Sequence, residues 1–506
     1  SSNAFVIDYG RGSVQKNKEN IEKKSGLIGH SDKNESEIDT EMQQVIEFYK
    51  NSVDRYKPIN GLLFPIPLQE NKIVSKKCYN LPLHLRDKLK EHIKMLLIAD
   101  IIRPSTSVYA TPTFVIMKPN GDIRLVNDYR DLNKLSVELE YFFPSVTEAF
   151  LKIRGSKVFS QIDLEKGFYQ VAIDENDKFK TAFTCPFGKY EHNRLPFGLK
   201  NAPKFFNNAI STMLNEFDNV MVFIDDILIF SKNVEDNMTS LKNVMKKLAE
   251  NNVIINFEKS NLLKDEVRYL GFVLNGENYR PNEDRLKDFH KWKKPQTRRQ
   301  LQKLLGKLNF YSSFIKNMGT RIAHLYDKLK GHAIKVNVSD EEMIPVFKIY
   351  DELRNHAINY LPDANQEFII HVDASDLGVG AVLSQKNGIV AYYSKKFSDI
   401  ESRYTTTEKE ALAALKAIEK WQDMVSGSKI IIYTDSKNNL SKNGNLSKRI
   451  ERWKALLSDY DIEYRYSQFS CFESWFEVGT PIFESVKMNF CSYIMFFLII
   501  LSYYMK

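Results

Sequence analysis

The stretch Val220-Met-Val-Phe-Ile-Asp-Asp-Ile-Leu-Ile-Phe230 decides how this chain is read. Two apolar β-type runs, residues 220–224 and 227–230, have only Asp225 and Asp226 between them. Adjacent carboxylates in an apolar hairpin are costly, because like charges repel and burial disfavours ionisation. Divalent cations would remove that cost; an exposed Asp-Asp turn is the plain alternative. A third acid shifts the balance. Phe159-Ser-Gln-Ile162 is strand-like and ends at Asp163, which meets the hairpin if the two strands pair. Neighbouring strand residues face opposite ways. Asp163 and Asp225 are therefore expected as the main metal ligands, with Asp226 secondary. Such a set suits two-metal phosphoryl transfer.

Around this hairpin the chain has 506 residues, 72 Lys+Arg against 64 Asp+Glu and a net charge of +8. That length suggests about three domains. With 43% hydrophobic and 12% aromatic residues, sizeable cores can form, which excludes global disorder. Cys78, Cys185, Cys471 and Cys491 form no CxxC pair, which argues against a zinc site and a disulfide framework. Residues 1–45 are polar and charge-punctuated and read as disordered. Residues 113–118 and 123–129 flank Asn120-Gly121, a hairpin signal. Ser145-Val-Thr-Glu148 reads as a capping box whose helix Gly155 closes. Residues 281–360 read as mainly helical, with a capping box at Thr297 to Gln300.

A second carboxylate group lies further on. Phe368-Ile-Ile-His-Val372 and Lys429-Ile-Ile-Ile-Tyr-Thr434 read as strands that end at Asp373 and Asp435. A long amphipathic helix, residues 406–425, separates them and offers Glu408 and Glu410. Thr405-Thr-Thr-Glu408 reads as a capping box, which engages Glu408 with its own helix terminus. Helix or turn capping is the plain alternative for the aspartates, and Asp376 is assigned to that role.

Several motifs carry a family resemblance. FSQIDLEKGFYQVAI (159–173), Leu195-Pro-Phe-Gly-Leu-Lys-Asn-Ala-Pro203 and Phe223-Ile-Asp-Asp226 resemble the motifs of reverse transcriptases. With IIRPSTSVYATPTFVIMKPNGDIRLVNDYRDLNK (101–134), the resemblance is to the gypsy-type LTR retrotransposon Pol polyprotein, over residues 60–466. HVDASDLGVGAVLSQ, TTTEKEALAALKAIE and YTDS resemble the retroelement RNase H domain. The resemblance implies an α+β and α/β multidomain chain: a right-hand polymerase with fingers, palm and thumb, then a helical connection and an RNase H-like mixed sheet. The corresponding segments are 1–45 (disordered), 46–280 (fingers and palm), 281–360 (thumb and connection), 361–466 (RNase H-like, truncated) and 467–506 (a hydrophobic tail).

The resemblance also implies roles. Asp163, Asp225 and Asp226 match the polymerase metal-binding aspartates, and Asp373, Glu410 and Asp435 the RNase H ligands. Lys118 and Arg124 flank the fingers turn that reaches the incoming triphosphate, a task suited to cations. Phe168 matches the ring that excludes a ribose 2′-hydroxyl. Tyr269-Leu-Gly-Phe272 resembles the primer grip, centred on Leu270 and Gly271. Implied cofactors are two Mg²⁺ per site, with Mn²⁺ as a substitute. Implied partners are an RNA template, a DNA primer, RNA/DNA hybrid and dNTPs, with a homodimer compatible. The Lys/Arg run at residues 291–303 suits duplex phosphates, a solvated helix face being the plain alternative. The implied location is cytoplasmic, within retroelement particles, with nuclear access.

The pattern holds through Ile462-Glu-Tyr-Arg-Tyr466 and then departs: SQFSCFESWFEVGTP lacks the family's fourth RNase H acid. Impaired RNase H beside intact polymerase chemistry is the expectation, and a decayed nucleic-acid-binding remnant is the alternative. The tail holds 18 uncharged residues, 488–505, the lower limit for a membrane span. Membrane contact through it is not expected.

Overall fold

The computed structural model describes residues 35–70, 72–117, 121–141, 145–287, 293–331, 334–355, 357–435 and 447–466. They divide into two units, one built on residues up to Tyr269 with Leu274–Gly276, the other on Leu270–Val273 with residues from Glu277 on.

In the first unit, helices α1 (Glu35–Ser52) and α2 (Leu83–Ile98) precede strands β1 (Ile102–Pro104), β2 (Thr111–Met117) and β3 (Ile123–Asn127). There follow α3 (Val146–Ile153), β4 (Val158–Leu164), β5 (Phe183–Cys185), β6 (Gly188–His192) and α4 (Ala202–Met213). The unit continues with β7 (Val220–Phe223), β8 (Asp226–Ser231), α5 (Val234–Glu250) and β9 (Ile255–Lys264). One sheet has the order β1-β6-β5-β2-β3 and another the order β9-β4-β8-β7. Strands β2 and β3 pair antiparallel, with Met117 opposite Ile123 and Gly121 at φ 82, while Asn120 of the expected hairpin turn lies outside the described residues. Ser145 accepts the Glu148 N–H at the start of α3.

Strand β8 is a central strand buried on both faces, Ile227 and Ile229 on one and Leu228 and Phe230 on the other, which is why its middle is apolar. Ile227 and Ile229 join Phe206 and Ile210 of α4 and Leu241, Val244 and Leu248 of α5 in one core. Helix α5 presents those residues at helical spacing, and Asn233 caps it by accepting the Asp236 N–H. That packing fixes where the Asp225 turn emerges from the sheet.

The disorder expected through residue 45 is corrected from Glu35 onward. Ile38, Met42 and Tyr49 of α1 are buried in the same core, and the Tyr49 hydroxyl donates to the Val253 carbonyl. Apolar residues at i, i+4 and i+11 share one helix face, and the charges between them masked the stripe. Residues 1–34 lie outside the described residues, as does the 467–506 tail. No helix among the described residues is long and apolar enough to cross a membrane.

In the second unit, α6 (Arg298–Phe310) and α7 (Asp340–Asn355) lead to β10 (Phe368–Ala374), β11 (Gly378–Gln385) and β12 (Gly388–Lys396). Helix α8 (Thr406–Val425), β13 (Ile430–Thr434), α9 (Lys448–Leu456) and β14 (Ile462–Tyr466) follow. The mixed sheet has the order β12-β11-β10-β13-β14. Strands β10, β11 and β12 pair antiparallel, whereas β13 pairs parallel with both β10 and β14. Capping boxes open both α6 (Thr297 with Gln300) and α8 (Thr405 with Glu408). Leu412, Leu415 and Ile418 of α8 pack with Phe368, Ile370 and Ile432 of the sheet.

Candidate active sites

Strand register assembles the first site. Strand β8 pairs antiparallel with β4, and Asp226 stands directly opposite Asp163. Opposed residues of an antiparallel pair share a face of the sheet. On its other side Asp226 opposes Phe223 of β7, so the two-residue turn is Ile224-Asp225. The turn thus falls one residue earlier than Asp225-Asp226, because Asp226 is already laddered.

Burial and mutual repulsion set the electrostatics. Burial, then the Asp163 charge, pushes the Asp226 carboxyl up to about 6, against a hydrogen bond from Gln161. Asp225 is raised by burial and by Asp163, with Lys259 opposing. Asp163 is raised by burial, again with Lys259 opposing. The Asp225 Oδ1 is buried without a hydrogen-bond partner among the described residues. Backbone contacts pin the strand: Asp163 N–H donates to Ser260 Oγ at 3.0 Å, and the Asp225 carbonyl accepts the Leu164 N–H at 3.1 Å.

The other nucleotide-contact candidates belong to separate elements. Lys118 lies outside the described residues. Arg124 is exposed on β3 opposite Ile116, and its charge is felt by the buried Tyr169 hydroxyl. Phe168 follows Asp163 on a short turn and is buried between Phe197 (centroids 5.3 Å apart) and Phe206 (5.7 Å, edge to face). Leu270 and Gly271 form a tight turn with φ 52 and φ 94. A Cβ on Gly271 would stand 2.5 Å from an Arg285 nitrogen and 3.0 Å from the Phe310 ring. On α6, Leu301, Leu304, Leu305 and Leu308 are buried while Arg299, Lys303 and Lys307 are exposed on the other face.

The second site draws on three elements. His371 of β10 pairs in register with Tyr433 of β13, and Asp373 and Asp435 each lie two residues further on. Glu410, from the second turn of α8, is 3% exposed. Its Oε1 accepts the Ala374 N–H at 2.9 Å, whereas Oε2 is buried without a partner among the described residues. Burial, then Asp435 and Asp373, pushes the Glu410 carboxyl up to about 8. Asp373 is raised by burial and by Asp435.

Glu408 differs at two residues' distance. It reaches back to the Thr405 N–H at 3.1 Å and accepts from Ser447 Oγ and Arg449 at 3.0 and 2.9 Å. Those donors hold it below the usual carboxylate range although burial opposes them. Asp376, assigned to capping, is instead ion-paired with Lys409 at 2.8 Å.

Both sites have donor sets that fit a hard divalent cation: carboxylate oxygens only, mutually repelling, each set with a buried orphan oxygen. Among the described residues, no group of three or more His, Cys, Asp or Glu already converges at metal-holding distance.

Sequence reasoning missed two polar residues beside the first site. Gln161 donates to Asp226, and the Asn207 Oδ1 accepts the Ile224 N–H at 2.8 Å. A polar side chain on the buried, apolar face of α4 was the signal for Asn207.

Known proteins resemble both units. Residues 116–274 match the family model described as reverse transcriptase (RNA-dependent DNA polymerase). Residues 363–460 match the RNase H-like domain found in reverse transcriptase. Families of these kinds generally depend on divalent metals. The transposon Tf2-3 and Tf2-4 polyproteins of Schizosaccharomyces pombe (strain 972) are each 31% identical over 424 residues. The match covers 81% of this chain but only 32% of theirs, so the chain spans about a third of the length of these curated relatives. Among solved structures, a foamy viral protease-reverse transcriptase dRH in complex with double-stranded DNA is 25% identical, with a TM-score of 0.77. That match covers 88% of this chain and 81% of the other. The foamy viral protease-reverse transcriptase in complex with RNA/DNA hybrid matches in fold, with TM-score 0.73 and 24% identity, over 87% of this chain and 62% of the other.

Proposed function

The chain carries the reverse transcriptase and RNase H-like domains of an LTR retroelement polyprotein, and from that premise we propose that it is an RNA-directed DNA polymerase with an attached RNase H. One observation carries the proposal: three mutually repelling carboxylates gathered at the β4–β8 pairing, where Asp226 opposes Asp163 and Asp225 forms the turn. All three are held above their ordinary carboxyl range.

In this reading Asp163, Asp225 and Asp226 would hold two divalent ions, Mg²⁺ or in its place Mn²⁺. The chemistry those ions supply is activation of the primer 3′-hydroxyl and neutralisation of the departing pyrophosphate. Phe168 supports the sugar by its ring, which leaves no room for a 2′-hydroxyl, so dNTPs are selected. Lys118 and Arg124 bind the triphosphate. Leu270 and Gly271 hold the primer strand, and the exposed cations of α6 bind duplex phosphates without reading bases. The partners are an RNA template and a DNA primer, and then the RNA/DNA hybrid they become.

In the second unit Asp373, Glu410 and Asp435 would hold the ions for hydrolysis of the RNA strand of that hybrid. Without the fourth acid this activity is weaker than in a complete domain. The working location is the cytoplasm, inside retroelement particles.

Primer extension on an RNA template tests the polymerase reading, with wild type beside Asp225→Asn. Extension by wild type alone supports it; equal extension by both rejects the site. Hybrid cleavage equal to that of an RNase H with all four acids would reject the impairment.

A further inference from the structure

Helix α4 brings an amide to the Asp225 turn. Asn207 is 1% exposed, and its Oδ1 accepts the Ile224 N–H at 2.8 Å. Ile224 has φ 56. A β-branched residue rarely adopts that conformation, because its Cβ crowds the following carbonyl. Such a conformation persists only where the surroundings over-determine it. The Asn207 bond is that kind of constraint, since it comes from another element and fixes the direction of the amide that opens the turn. The other end of the side chain, Nδ2, is buried with no partner among the described residues. An apolar side chain on this helix face would avoid that unmet donor. What Asn207 alone supplies is the acceptor for Ile224.

A second contact shows what the bond holds in place. A Cβ at Gly167 would stand 2.7 Å from Asp225 Oδ1 and 2.8 Å from Phe206 Cζ. Phe206 immediately precedes Asn207, and its ring meets Phe168 edge to face. Two consecutive residues of α4 thus reach the two groups that bracket the incoming nucleotide in the proposed function, the Phe168 ring and the Asp225 turn.

We propose that α4 sets the position of the Asp225 carboxylate relative to Phe168, with Asn207 as the positioning residue. The inference rests on the polymerase reading of Asp225 and Phe168. Phe206 fixes the ring side and Asn207 the carboxylate side, so the spacing between sugar selection and catalysis is built into one helix turn.

The test uses the full chain as wild type, Asn207→Ala, Ile224→Gly and the double variant. Hydrogen exchange at the Ile224 amide, measured on the free protein, is expected to be protected in wild type and in Ile224→Gly. It should be fast in Asn207→Ala. In RNA-templated extension, Asn207→Ala is expected to lose kcat by roughly 10- to 100-fold, the scale of a displaced catalytic group. KM for dNTP should stay within about twofold. Glycine takes φ 56 without strain, so the Asn207→Ala loss should be smaller in the Ile224→Gly background. A merely structural role would give the same loss in both backgrounds, and that result overturns the proposal. So does an unprotected Ile224 amide in wild type, a measurement that needs no variant to fold. If wild type extends no primer, the polymerase reading fails, while the exchange data still judge the Asn207 bond.

Discussion

The two carboxylate sites reach similar chemistry by different routes. In the first unit, Asp225 and Asp226 are adjacent in sequence and Asp163 is brought to them by strand register. In the second, Asp373, Glu410 and Asp435 come from a strand, a helix and the end of another strand, with β11, β12 and α8 between them. A register-built site depends on one sheet and its turn. A site built from three elements depends on the phase of a helix. That phase is set by the Thr405–Glu408 capping box, which starts α8 so that Glu410 faces Ala374. The first site spreads its burial strain over three acids; in the second both Asp373 and Glu410 are raised, and Glu410 is pushed up to about 8 against about 6 for Asp226.

The sharpest test of separate sites is Glu410→Gln. Hybrid cleavage should fall by at least about 10²-fold, as when a group stabilising the transition state is removed. RNA-templated extension should stay within about twofold of wild type. Loss of both activities would show that the two carboxylate groups do not act independently.

Phe168→Ala probes the first site alone. Ribonucleotide incorporation relative to deoxyribonucleotide should rise by roughly 10- to 100-fold, the range for discrimination by pocket shape. Competitive incorporation with labelled rATP and dATP reads it. Unchanged selectivity would reduce Phe168 to a core aromatic.

The unequal strain predicts unequal gains in stability. Glu410 in the fold titrates at about 8, against an ordinary 4.5. Below pH 4.5 both states are protonated and there is no penalty. Between pH 4.5 and 8 the folded state binds the extra proton, so stability falls as pH rises, and above 8 the full penalty remains. Glu410→Gln should therefore stabilise the cation-free protein at pH 8 by on the order of a few kcal/mol and leave pH 4 stability nearly unchanged. Asp226, at about 6 against an ordinary 3.8, should gain less as Asp226→Asn, about half as much. Urea unfolding at pH 4, 6 and 8 with EDTA measures both; equal gains at all three pH values would contradict the assignment.

The smallest effect is expected at the cap. Thr405→Ala should lower stability by about 1 kcal/mol and reduce cleavage more than extension. A drop in extension alone would contradict the role given to α8.

The contrast also explains what was legible beforehand. The 220–230 hairpin, the strands β10 and β13 and the helix from Thr406 to Val425 could be read from apolar patterning and a capping box, because each is dictated by local sequence. The position of the turn could not: Asp226 is claimed by its ladder partners, and pairing is a long-range fact. Helix α1 was hidden because its apolar residues share a core with Leu241, Val244 and Leu248 of α5, and its Tyr49 hydroxyl bonds Val253, some 200 positions away. The partners of Gln161 and Asn207 could not be read for the same reason, although a polar residue on the apolar face of α4 marked Asn207 itself. Their partners, Asp226 and Ile224, lie on other elements.

The most direct measurement is a pair of assays on one preparation of Asp163→Asn beside wild type: single-turnover extension of a DNA primer on an RNA template, and cleavage of a preformed hybrid. Extension should fall by at least about 10²-fold while whatever cleavage wild type shows is retained. Extension at the wild-type rate by Asp163→Asn would contradict the assignment of the β4–β8 carboxylates as the polymerase site.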